Sequence, residues 1–220
     1  MDIISVEQAN CLYWLGRYTE RVYTTIRIYF KRFDQMIDES KDSYEQFCQM
    51  IDIPNVYASR EDFLKRYPFD TDNPDSIISN MYRAYDNAIV LREQITSEAL
   101  SYIQLAVYEL KKATISKSPL IELQQVLDDL LAFWGTIDDR IDSEHIRNII
   151  KAGKRIERID LYARLGLPAK EILREVHRLQ PRVERSGLSY EKEKLEKLEA
   201  LVLEPEIDYY KIVFLVESIL

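Results

Sequence analysis

The chain has 220 residues, 46% hydrophobic and 31% charged, with 38 Asp and Glu against 30 Lys and Arg for a net charge of −8. That size and apolar content fit one domain or a tight pair and exclude disorder, and the acidic balance argues against nucleic acid, whose phosphates need a concentrated basic face. Cys11 and Cys48, without Cys-x-x-Cys spacing, supply neither a disulfide framework nor a zinc site.

The opening Met1-Asp2-Ile3-Ile4-Ser5 has no basic leader, and the longest apolar run, Ile212 to Val216, is too short to span a bilayer. A cytoplasmic chain without a membrane anchor is expected. Ser5 and Gln8 have capping-box spacing, and Leu12, Leu15, Val22, Ile26, Tyr29, Phe33 and Met36 recur at helical steps, predicting a helix over 6–38. A short helix over 42–51 precedes a polar connection punctuated by Pro54, Pro68 and Pro74, with a helical turn near Asp62 to Arg66.

Asn73-Pro74 reads as a cap followed by proline at the first helical position. From it the stripe Ile77, Met81, Ala84, Ala88, Leu91, Ile95, Tyr102 and Ala106 predicts one very long helix to Ala113. Ser118-Pro119 opens a helix to about Ile137, and Asp142 or Ser143 opens another that stops at Gly166-Leu167-Pro168. Shorter helices follow over 169–180, 189–203 and 206–219. No segment alternates as a strand does. The expectation is an all-α single domain over 1–220, a bundle of long antiparallel helices over 1–166 with shorter C-terminal helices over 167–220. The fifteen tyrosines fit helix packing better than a ligand box.

Gly16-Arg17-Tyr18-Thr19-Glu20-Arg21 and Gly153-Lys154-Arg155-Ile156-Glu157-Arg158 share one pattern, and both fall inside predicted helices. Glycine costs a helix interior about 1 kcal/mol relative to alanine, so its recurrence four residues before a glutamate marks a face held open for a neighbour. At 100° per residue Glu157 shares a face with Ile146, Ile149, Ile150, Gly153 and Ile156 and points at the core. A buried carboxylate needs a partner, and arginine's fork supplies one. The two motifs are therefore expected to meet, Glu20 with Arg158 or Arg155 and Glu157 with Arg21 or Arg17, with Asn87 and Arg92 as a third contribution. Such a cluster is either an ion-pair network that sets helix register or a cavity for an anion.

A di-metal carboxylate bundle needs Glu-x-x-His, which His145 and His177 do not provide, so no metal is expected. Dinucleotide, phosphate-loop, nucleophile-elbow and His-Glu-x-x-His motifs are missing, and no cofactor is expected. The Lys/Glu run from Glu191 to Glu199 reads as a solvated helix face.

The segments Leu12-Tyr13-Trp14-Leu15-Gly16-Arg17-Tyr18-Thr19-Glu20-Arg21 and Ala152-Gly153-Lys154-Arg155-Ile156-Glu157-Arg158 resemble the bacterial alpha-E family of helical proteins. Asp86-Asn87-Ala88 with Arg92 and Glu93 is similar to a further family segment, although Tyr85 and Ile89 stand where its arginines are expected. The resemblance covers roughly residues 1–165, as in a short or divergent member. It implies an association with circularly permuted ATP-grasp ligases and transglutaminase-like proteins, and hence a role beside amide-bond formation or peptide modification. Two other readings stand beside that one. The first is an enzyme or binder of a small anion that uses Glu20 or Glu157 as acid or base among arginines. The second is a structural homo-oligomer joined through the stripe from Ile207 to Leu220.

Overall fold

The computed structural model describes residues 4–38 and 43–220, and side chains outside 32–43. Met1 to Ile3, and the side chains of Phe33 and Met36 in the first stripe, lie outside the described residues. The described residues form ten α-helices and no strand. The all-α expectation holds. No helix among them is long and apolar enough to cross a membrane. The chain divides into two compact units, one formed by the residues up to Glu20 with Asp142–Leu220 and the other by Arg21–Ile141.

The second unit holds the rest of α1 (Val6–Asp38), with α2 (Ser43–Met50), α3 (Arg60–Arg66), α4 (Ile77–Val90), α5 (Ser97–Ala113) and α6 (Pro119–Arg140). Phe63 anchors its aromatic core, stacked on Tyr67 at 4.9 Å between ring centroids and flanked by Phe47 and Tyr57. Ion pairs between Glu98 and Arg140 and between Lys112 and Glu122 run in opposite chain directions, so α5 and α6 are antiparallel.

The single helix expected from Pro74 to Ala113 is two. Asn73 accepts from the Asp75 N–H in a local turn, and Ser76, not Asn73, caps the helix by accepting from Ser79 N. The chain then turns between Leu91 and Thr96, and the Thr96 hydroxyl accepts from Ala99 N to start α5. Leu91 and Ile95 remain buried through the turn, so the apolar stripe continues where the helix does not.

The first unit packs the start of α1 with α7 (Glu144–Arg164), α8 (Ala169–Ser186), α9 (Lys192–Val202) and α10 (Tyr209–Glu217). The predicted glycine stop closes α7: Gly166 adopts φ +61°, its N–H donates to Ala163 O, and Leu167 N–H donates to Tyr162 O. Helix α8 runs past its expected end at 180, through Pro181, to Ser186. Burial of Leu179 and Val183 on either side outweighs the missing backbone donor. Ile172, Val176, Leu179 and Val183 meet Ile156, Ile159 and Ala163 of α7, Leu198 and Val202 of α9, and Ile212 and Val216 of α10 in one core. Much of the stripe from Ile207 to Leu220 is thus buried within its own unit, while Tyr210 and Phe214 face outward.

Candidate functional site: a glycine crossing and an arginine cluster

Within the first unit α1 and α7 cross at their glycines. A Cβ on Gly16 would stand 2.0 Å from the Ile150 carbonyl oxygen, and one on Gly153 would stand 2.1 Å from the Tyr13 carbonyl oxygen. Only hydrogen fits at either point, which is why each helix accepts the propensity cost of glycine. The glutamates lie one turn beyond the crossing, and both are fully buried.

Each takes an arginine from the other helix. Arg158 holds Glu20 in a fork, Nε to Oε1 at 2.6 Å and Nη2 to Oε2 at 2.8 Å. Arg17 Nε donates to Glu157 Oε2 at 2.7 Å. Although Arg17 lies off the main stripe of α1, it is buried, with its guanidinium 4.8 Å from the Trp14 ring centroid and 3.8 Å from Glu217 of α10. Burial opposes its charge, but Glu157 and the Tyr13 hydroxyl outweigh that and lift its pKa above the ordinary guanidinium value. Near Glu157, Asp160 is pushed up to about 6 by burial and by the Glu157 charge, despite its pair with Arg164 at 3.0 Å.

Arg155 departs from the expected pairing. Its Nη1 donates to Glu175 of α8, a fully buried carboxylate absent from the sequence reading. Arg178 reaches the other oxygen of Glu175 at 2.9 Å, Arg174 approaches at 3.4 Å, and Arg158 lies 3.9 Å away. Burial works against the Glu175 charge, yet Arg155, Arg158 and Arg178 hold its pKa below the usual carboxylate range. Glu175 shares a helical face with Ile172 and Leu179, so the spacing argument that located Glu157 applies to it equally.

Lys151 and Lys154 extend the basic face of α7. Burial, with Arg182 and Arg155 nearby, depresses Lys151 to about 8. Burial, only partly offset by Glu20 and reinforced by Arg158 and Arg155, depresses Lys154 to about 7. The remaining candidates belong to the other unit. Arg21 bears on the buried Tyr67 hydroxyl, Asn87 is half-buried on α4, and Arg92 is exposed in the turn after α4 rather than on a helix. Among the described residues no group of three or more His, Cys, Asp or Glu side chains is arranged to hold a metal ion.

The fold and this site define a helical domain built on paired Gly-x-x-x-Glu-Arg segments. The model of the Alpha-E family, a predicted alpha-helical domain with a conserved ER motif, matches residues 7–202, and the chain belongs to that family. The match continues through α8 and α9, beyond the segment near 165 that the motif resemblance reached. No curated protein and no solved structure matches the chain.

Proposed function

We propose that the chain is an accessory helical subunit of an ATP-grasp-type ligase acting in peptide or amide-bond formation, and that its Glu-Arg motifs are scaffold rather than catalyst. The observation that carries the second part is the burial of Glu20 and Glu157, each ion-paired with an arginine of the other helix. A fully buried carboxylate held in an ion pair offers no exposed oxygen to a substrate. The ligase partnership rests on the family resemblance.

The test is affinity purification of the chain from its own host, native mass spectrometry of the complex, and assay of the co-purified enzyme with and without added chain. The reading expects an ATP-dependent ligase whose amide-forming turnover rises when the chain is restored. A chain that purifies alone, or a ligase indifferent to it, refutes the partnership. Turnover lost in a fully folded E20Q or E157Q variant, with the complex intact, refutes the scaffold role.

A further inference from the structure

A cavity of about 430 Å³ opens within the second unit, where the first turn of α6 faces Tyr29 of α1, Leu64 of α3 and Phe69 just beyond it. Small-molecule sites run from about 300 to 1,000 Å³ and are lined mostly by apolar groups, and this cavity falls in that class. Its walls follow from the way the aromatic core is built. Phe63 is fully buried, and Leu64, about 100° further around the same helix, falls at the edge of that core and is only half-buried. At the start of α6 Leu123 is 1% exposed and forms the floor, whereas Ile121, two residues earlier, is 70% exposed and stands at the rim. The Tyr29 hydroxyl donates to the Leu64 carbonyl oxygen at 2.9 Å, which ties two of the walls together.

Charge enters this apolar lining at one point. Among the described residues that line the cavity Lys117 alone is charged; it is exposed, and no hydrogen bond or ion pair with another described residue engages it. Glu122, between the lining residues Ile121 and Leu123, is held towards α5 instead: its Oε1 accepts from Ser116 Oγ at 2.9 Å and lies 4.0 Å from Lys112 Nζ. The first turn of α6 belongs to the same wall, with Pro119 at its start and no side-chain cap, and its dipole adds to the preference for negative charge.

We propose that this cavity binds a small monocarboxylate with an aliphatic or aromatic body, the apolar part against Leu64, Phe69 and Leu123 and the carboxylate on Lys117. An alcohol of the same shape gains the apolar contacts but gives the ammonium no anion, and acetate gives the anion without the contacts. A phosphoryl dianion brings a further charge for which the described lining has no second cation. The lining shares no residue with the Glu-Arg cluster, and the site does not depend on the ligase partnership.

Isothermal titration calorimetry of the full chain tests it, with octanoate and 3-phenylpropanoate as ligands, octan-1-ol as the uncharged analogue and acetate as the charge alone. At least one of the two longer acids is expected to bind about tenfold more tightly than octan-1-ol or acetate. Lys117→Gln is expected to weaken that acid about tenfold while leaving octan-1-ol unchanged, a split that a merely damaged fold would not produce, and Lys117→Arg should restore most of the affinity. Ile121→Ser should weaken acid and alcohol alike, by about fivefold, and Lys197→Gln on α9 should change neither. Circular dichroism checks that each variant keeps its helices. The proposal is overturned if neither longer acid binds, if octan-1-ol or acetate matches them, or if folded Lys117→Gln binds the acid like the parent.

Discussion

Replacing Gly16 or Gly153 by alanine puts a methyl group 2.0 or 2.1 Å from a backbone carbonyl oxygen of the opposite helix. A comfortable contact needs about 3.4 Å, so the helices must part by roughly 1.4 Å, since the obstruction is backbone and no side chain can swing away. Parting them that far stretches the Arg17–Glu157 and Arg158–Glu20 bonds, now 2.6–2.8 Å, beyond hydrogen-bond range. Overpacking costs about 1–3 kcal/mol, and disrupting a buried ion pair costs about 3–5 kcal/mol. Alanine returns only about 1 kcal/mol of helix propensity, so each variant should lose about 3 kcal/mol or more.

Gly135 supplies the matched control. It lies inside α6, exposed, with nothing within 4 Å of a built Cβ. Alanine there should gain about 0.5–1 kcal/mol. The same substitution, in the same kind of secondary structure, should thus change sign between positions. Urea unfolding followed by helical circular dichroism gives the totals. Tryptophan fluorescence in single-tryptophan backgrounds separates the units, because Trp14 lies beside the crossing in the first unit and Trp134 lies beside Gly135 in the second. A Gly16→Ala protein as stable as the parent would refute the close crossing and the scaffold role built on it.

Two further outcomes follow from the buried charges. Glu157→Gln leaves Arg17 buried beside a neutral amide, with Asp160 and the half-exposed Glu217, at 3.8 Å, as the remaining carboxylates that bear on it. A loss of about 3–5 kcal/mol, or roughly 10 °C in melting temperature, is expected, and an unchanged thermal melt would show the pair to be dispensable. Asp160 titrates at about 6 in the folded state against 3.8 for a free aspartate, so folding favours its protonated form. That contribution is fully present below pH 4 and is lost as the pH rises through 6, an effect of about 3 kcal/mol. Asp160→Asn should therefore stabilise the protein at neutral pH, with its advantage over the parent vanishing towards pH 4. Parallel urea curves for the two proteins at every pH would contradict that linkage.

How much of this could be read beforehand differs from helix to helix. The boundaries of α1, α6 and α7 were legible because capping residues, proline starts and the Gly166 stop act on neighbouring backbone groups. The turn between α4 and α5 was hidden because Leu91 and Ile95 are buried in it, so a pattern of burial ran on unbroken. Helix α8 departs in the opposite direction, since a core contact carries it past 180 and through Pro181, where local propensity would end it.

The site divides in the same way. That Glu157 had to find an arginine was legible in the sequence, because its helical face is apolar and a buried carboxylate requires a counter-charge, whereas Glu20, at the margin of its stripe, was matched through the repeated motif. Which arginine each would find was a matter of tertiary structure alone. The meeting of Gly16 and Gly153 sets the crossing, the crossing hands Glu157 to Arg17 and Glu20 to Arg158, and the antiparallel packing of α8 on α7 delivers Glu175 to Arg155. Periodicity places a side chain on a face of its own helix, but only packing in three dimensions decides which other helix that face will meet.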